Sequence, residues 1–258
     1  MMGKDAKTPT TGLCSYTDTE IFYRGRDLVG DLMQGGGGDF VTIMMGHILN
    51  REVSARDARL MNAILITMME HGLTPSAIAT RSVYMSAPEN LQGAVAAGLM
   101  AVGSQFVGTI ENNARLLEDI LSQPEDARRA RADEIVADHR ARKAHVPGFG
   151  HHLHKPDDPR AILLLEMGEK EGLESGHIEA LRMLGAAVDD AAGRHITINA
   201  TGATAALLGG MNIPTKLMRG FAVISRAAGL VAHIAEEQER PSGRYIWQVV
   251  DKAIPFEK

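Results

Sequence analysis

The stretch DARLMNAILITMMEHGLTPS, residues 57–76, decides the fold class. Leu60, Met61, Ala63, Ile64, Leu65, Ile66, Met68 and Met69 surround the whole circumference of one helix, so the spacing predicts a helix over 57–70 that is buried on most sides. His71-Gly72 closes it with a glycine at the C-terminal end, and Thr74-Pro75 opens the next helix with proline in its first turn.

The pattern continues in both directions. Gly93–Val102 is apolar and rich in Gly and Ala, which suits close helix packing, and Glu111–Arg142 is charged with mixed sign, as on a solvated helical surface of a second, smaller lobe. The breaker cluster Val146-Pro147-Gly148-Phe149-Gly150 marks a loop, and Asp158-Pro159 reads as an N-cap followed by proline. Helices are expected near 159–171 and 176–192. Ile196–Leu208 passes from β-branched residues into a small-residue helix, and Arg219–Glu237 is a long apolar helix carrying Arg226 and His233. Residues 1–18 read as a loose polar arm, and Gly35–Gly38 as a flexible turn between helices, since no Lys-Ser/Thr follows to make a phosphate loop. With 14 Met and 4% aromatic residues, about ten helices and no repeat, the chain is predicted to be all-α.

Composition limits the function classes. The 258 residues suffice for one large domain or two modest ones, and a formal net charge of −5 offers no global positive field for nucleic acid or an anionic membrane. Cys14 is the single cysteine, so internal disulfides and multi-cysteine zinc sites are excluded. No apolar run approaches the roughly 20 residues of a membrane span and no signal-type segment opens the chain, so a cytoplasmic protein is expected.

The densest polar constellation is Gly148-Phe149-Gly150-His151-His152-Leu153-His154-Lys155-Pro156-Asp157-Asp158-Pro159-Arg160. Imidazoles that polarise a carbonyl beside a guanidinium that grips a carboxylate suit an anionic ligand. Zinc on His151, His152 and His154 is the competing reading, although these spacings match no common catalytic zinc pattern, and no metal is predicted. Arg226 lies in an otherwise apolar or small-residue helix, where a guanidinium needs a paired anion, either an internal carboxylate or a ligand.

These residues resemble a family. Gly148-Phe149-Gly150-His151 followed by Asp158-Pro159-Arg160 is similar to the signature of the citrate synthase superfamily. Tyr23-Arg24-Gly25, Glu70-His71-Gly72-Leu73 and Ser225-Arg226-Ala227-Ala228-Gly229-Leu230-Val231-Ala232-His233 with Glu236-Glu237 match its other motifs in order. The short chain resembles the citryl-CoA lyase branch and the citryl-CoA-cleaving module of ATP citrate lyase. The resemblance implies an all-helical homodimer with the active-site cleft between a large domain, residues 1–106 and 201–258, and a small domain, residues 107–200. It implies that His71, Arg160 and Arg226 bind oxaloacetate or citrate, that His151 is catalytic, and that Arg240 or Arg244 reaches the neighbouring subunit's site. It further implies that Lys155 faces coenzyme A phosphates and that the loop of Gly148, Phe149 and Gly150 holds the adenine and pantetheine.

Two departures stand against this pattern. Phe106 occupies the place of a histidine that steadies the acetyl-CoA enol, as it also does in the ATP citrate lyase module. Thr201, in Asn199-Ala200-Thr201-Gly202, stands where the family has its catalytic aspartate. General acid/base assistance is worth roughly 10²- to 10⁴-fold, so either a substitute among His152, His154, Asp157 and His195 serves or the reaction differs. The leading expectation is a lyase that cleaves a 3-hydroxy-3-carboxyacyl-CoA to an acyl-CoA and a 2-oxo acid, with the CoA thioester as substrate. An acyltransferase running forward and a non-catalytic binder of a dicarboxylate or CoA ester are the alternatives.

Overall fold

The computed structural model describes residues 8–36, 38–103, 108–173 and 176–257. Its contacts cluster into two compact units, residues 1–62 and 63–258.

The first unit holds a three-stranded antiparallel sheet, β1 (Cys14–Tyr16), β2 (Ile21–Tyr23) and β3 (Arg26–Asp27), followed by a π-helical turn at Leu28–Met33 and helix α1 (Phe40–Leu49). Arg24 and Gly25 both take positive φ, 49° and 80°, so Tyr23-Arg24-Gly25-Arg26 is a two-residue hairpin turn of the kind that matches the right-handed twist of paired strands and joins β2 to β3. Part of the expected loose arm is therefore ordered: Cys14 pairs with Tyr23 and Tyr16 with Ile21. Strands of three residues are too short to reveal a period of two.

Helix α2 (Ala55–Met69) runs out of the first unit, and its buried positions Leu60, Met61, Ile64 and Met68 form one stripe, while Ile66 is 61% exposed. The expectation of burial on most sides is thus corrected to burial of one face. The second unit adds α3 (Pro75–Ser86), α4 (Leu91–Met100), α5 (Thr109–Leu121), α6 (Arg128–Ala141), α7 (Pro159–Lys170), α8 (His177–Ala192), α9 (Ala200–Gly210), α10 (Thr215–Glu239) and α11 (Gly243–Ala253). Among the described residues the fold is all-α apart from the small sheet.

At the centre lies α9, buried throughout except at Thr201, and packed by α5, α7 and α8. Its small residues allow close approach: a Cβ on Gly202 would stand 2.6 Å from the Gly148 carbonyl oxygen. The charged segment after Glu111 is not a solvated surface throughout. In α5, Ile110, Asn113, Ala114, Leu117 and Ile120 form a buried face, and α6 buries Ala132, Ile135 and Val136. Charges on the outer side of α5 hide an amphipathic helix from a reading by composition alone.

Helix α10 corrects another expectation. At 25 residues, with mean hydropathy 1.3 over its most apolar window, it is long and apolar enough to cross a bilayer. Half of that window is buried inside the protein, where α10 packs on α3, α4, α5 and α9 as a core helix. Gly229 makes its contact with the end of α2 possible, since an added Cβ would meet the Met69 carbonyl oxygen at 2.0 Å. Gly229→Ala is expected to lower stability by about 1–3 kcal/mol through overpacking, measured by urea unfolding, and to displace His71 from Arg226; unchanged stability would mean the two helices can separate freely.

Candidate functional site

In the second unit the amino ends of α3, α5, α7 and α9, the carboxyl ends of α2 and α4 and the loop before α7 border a cavity of about 910 Å³, lined among others by His71, Gly148, Phe149, Gly150, His151, Arg160, Thr201 and Arg226. Folding thus gathers residues that sequence separates by more than 150 positions. Arg240 and Arg244, both exposed, and the exposed Lys155 do not line it. Phe106 lies outside the described residues.

Each side chain is held by local structure. Gly148 and Gly150 take φ of +88° and +81°, which favour glycine, and the loop is strapped to the chain before α9 by Asn199 N–H to Gly148 O at 3.0 Å and Gly150 N–H to Thr197 O at 2.7 Å. Asn113 on α5 donates its side-chain amide to Pro147 O at 2.8 Å. Asp158 caps α7 by accepting Arg160 N–H at 3.0 Å. Its carboxylate, 0% exposed, also grips the Arg160 guanidinium through Nε at 3.0 Å and Nη2 at 2.8 Å, and accepts Ala200 N–H at 3.1 Å. Burial alone would raise this carboxyl, but the hydrogen bond and charge of Arg160, with the backbone donors, hold it below the usual range. Arg160 is thereby fixed with its remaining donors available to a ligand.

The imidazoles form a cluster. The ring of His151 lies 4.3 Å from that of His154, 4.8 Å from that of His152 and 5.4 Å from that of His71. His151 Nδ1 accepts two backbone N–H groups, from Leu153 at 3.1 Å and His154 at 3.0 Å, and these two closer donors outweigh the 3.4 Å approach of Arg160 Nη2 to Nε2 and place the ring proton on Nε2. This ring is a hydrogen-bond donor, suited to polarising a carbonyl or hydroxyl oxygen. Burial, reinforced by the charges of His154 and Arg160, pushes it down to about 4. His71 is also lowered, chiefly by burial and then by Arg160.

His71, His151 and His154 offer atoms within 4.8 Å of one another, the spacing of a metal trio. The donor chemistry does not suit a cation. A metal on His151 Nε2 would require the proton on Nδ1, against two backbone donors, and the positive charges of Arg160 and Arg226 act on the same cluster.

Arg226, 5% exposed, completes the site. Its Nε and Nη1 are buried with no hydrogen-bond partner, as is His71 Nε2. Burial lowers its pKa, and only the charge of Glu70 opposes this. Glu70 itself accepts the backbone N–H groups of His71 at 2.7 Å and Gly72 at 2.5 Å through one oxygen, and its other oxygen lies 3.0 Å from His233 Nε2. The internal-carboxylate reading of Arg226 therefore finds no bonded partner among the described residues.

At the amino end of α9, Thr201 Oγ1 donates to Asn199 Oδ1 at 2.7 Å and accepts from Thr109 Oγ1 at 2.9 Å. The substitute bases expected from sequence separate here. His195 is bonded to Asp189 at 2.8 Å and Asp157 at 2.9 Å, outside the cavity, and these two carboxylates raise its pKa. His154 does not line the cavity, whereas His152 does. Lys143 and His145, also on the lining, were missed by sequence reasoning; the one available signal is their place just before the Val146-Pro147 breaker.

These shifts carry a pH dependence. Neutral in the folded chain, His71 and His151 resist protonation that an unfolded chain accepts near pH 6.5, so the unfolded state binds more protons as the pH falls from about 6.5 toward about 4. The stability they provide is present above that window and lost through it, while His195 acts in the opposite sense, its contribution being present below about 6.5 and lost as pH rises through its raised value. Thermal unfolding of the unliganded protein should show a melting temperature that drops between about pH 6.5 and 4, with His151→Gln flattening the fall; a steeper fall in that variant would contradict the assignment.

The pattern described as citrate synthase, C-terminal domain, matches residues 35–247. The citryl-CoA lyase of Hydrogenobacter thermophilus superposes with a TM-score of 0.79 at 30% identity, covering 91% of this chain and 88% of that one. An ATP citrate lyase of Methanosaeta concilii, in complex with (3S)-citryl-CoA, shares the fold with a TM-score of 0.76 at 18% identity, over 98% of this chain and 43% of that one. The 2-methylcitrate synthase of Shewanella oneidensis is 27% identical over 219 residues, 81% of this chain and 56% of its own. The chain spans less than two thirds of the length of the curated relatives it matches, 56% and 59% of two of them.

Proposed function

Because this chain belongs to the citrate synthase family, we propose that it is a carbon–carbon lyase of the citryl-CoA lyase type, cleaving a 3-hydroxy-3-carboxyacyl-CoA to an acyl-CoA and a 2-oxo acid. The observation that carries this reading is Arg226, a buried guanidinium whose Nε and Nη1 lack partners beside Arg160, His71 and His151. An unpaired buried charge is costly, and a ligand carboxylate removes the cost. Arg226, Arg160 and His71 would then hold the carboxylates of the oxo-acid half, while the Nε2–H of His151 polarises the oxygen on the carbon where the bond breaks.

The rest of the cavity suits a CoA ester. Its volume of about 910 Å³ exceeds what a tricarboxylate fills, and its lining extends past Gly148–Gly150 to Lys143 and His145, which bring basic side chains toward phosphates. Residues of both sequence-assigned domains line it, Thr67–Ser76 and Arg226 from one and Thr109–Ala200 from the other, which supports a cleft between a large and a small domain. Arg240 and Arg244 are exposed and off this lining, and one or the other is assigned to a neighbouring subunit's site in a homodimer.

Citrate and CoA titrated separately into the purified chain by calorimetry should each bind saturably. If neither binds, the reading fails. The named synthases among the relatives keep the forward condensation as a second reading, and appreciable thiol release from acetyl-CoA with oxaloacetate would favour it over the lyase.

A further inference from the structure

The cleavage proposed above needs a group to take the hydroxyl proton and return it to carbon, and among the described residues the cavity offers no free carboxylate for the task. Among the described residues Glu70 is the only acid on the cavity lining, and its oxygens are turned to two backbone N–H groups and to His233. The hydroxyl of Thr201 is closed in a chain between Thr109 and Asn199. His151 presents an N–H and cannot accept a proton through that nitrogen. His71 shares the cavity lining with Arg160 and Arg226 and is assigned with them to the carboxylates.

One imidazole of the cluster is left with both access and freedom. His152 lines the cavity, its ring stacks on that of His151 with centroids 4.8 Å apart and stands 6.3 Å from that of His71, and it makes no hydrogen bond to any described residue. His145 shares the lining but makes no ring contact with this cluster. We infer that His152 is the acid/base of the reaction, an inference that rests on the lyase reading. Its imidazole takes the proton of the substrate hydroxyl as the C–C bond breaks and the C–O bond becomes a carbonyl. The bonding pair passes into the thioester enolate, and the resulting imidazolium returns the same proton to the methylene carbon, releasing acyl-CoA and the 2-oxo acid. Imidazole suits both halves because its two protonation states are close in energy near neutral pH.

Cleavage of citryl-CoA is followed with the full-length protein, its His152→Gln and His152→Ala variants, and His195→Gln as a control outside the cavity. The expected result is a fall in kcat of about 10²- to 10⁴-fold in both His152 variants. KM should stay within a few-fold, added imidazole should partly restore His152→Ala, and His195→Gln should match the wild type. Wild-type kcat retained in His152→Gln overturns the inference and leaves the lyase reading standing. So does a loss that imidazole does not restore. A wild type that binds citrate and CoA yet cleaves no citryl-CoA overturns the lyase reading, and this inference with it.

Discussion

Arg226→Leu is expected to raise the melting temperature of the unliganded protein while abolishing its response to citrate. The guanidinium is 5% exposed, its Nε and Nη1 find no partner, and Glu70, whose charge acts on it, is committed to backbone donors and His233. Replacing such a buried charge with an apolar side chain is stabilising by about 1–4 kcal/mol. In a chain of this length each kcal/mol moves the midpoint by about 2–4 °C. Binding moves the other way, because truncating one side of a buried charge pair costs about 2–5 kcal/mol, an affinity loss of about 30-fold to several thousandfold. Thermal shift with and without citrate reads both effects at once. A variant that is less stable without ligand and still shifted by citrate would show that Arg226 serves the fold and has an internal partner.

The second large effect belongs to Asp158, whose replacement by alanine should cost about 3–5 kcal/mol in urea unfolding, the penalty for leaving a partner of a buried ion pair uncompensated. Its carboxylate accepts the Arg160 backbone N–H and two guanidinium N–H groups, together with the Ala200 N–H, at 2.8–3.1 Å. It therefore ties the start of α7 to the start of α9 and aims Arg160 at the same time. Asp158→Asn keeps the volume and an oxygen for Ala200 but loses the charge, so it should fold better than the alanine variant and still bind citrate weakly. Unimpaired citrate binding in the folded asparagine variant would mean that Arg160 does not need this anchor.

Much of this was legible in the amino-acid order, for identifiable reasons. Helices expected near 159–171 and 176–192 are found at Pro159–Lys170 and His177–Ala192, because Asp158-Pro159 and the αL glycines Gly176 and Gly193 mark their ends. The motif residues His71, His151, Arg160 and Arg226 share one cavity because the turn after α2, the 148–160 loop and the middle of α10 converge on it, which the glycine contact of Gly229 with Met69 permits. What sequence did not reveal depends on pairing across the fold. Strands β1 to β3 are held by partners rather than by periodicity. The buried stripe of α5 is masked by its charges, and the roles of the histidines diverge only when their neighbours are known. His151 and His152 are adjacent in the chain, yet one is locked as a donor by two backbone N–H groups and the other is free. His195, attractive as a base by residue type, is spent on Asp157 and Asp189.

The central claim is that a carboxylate-binding cavity of this family breaks a carbon–carbon bond of a CoA ester without the family's aspartate. Mass spectrometry of purified protein incubated with citryl-CoA, with Thr201→Asp in parallel, tests it most directly. The predicted result is acetyl-CoA and oxaloacetate in equal amounts from the wild type. Citryl-CoA left intact by the wild type but cleaved by Thr201→Asp, or converted by the wild type only to citrate and free CoA, would contradict it.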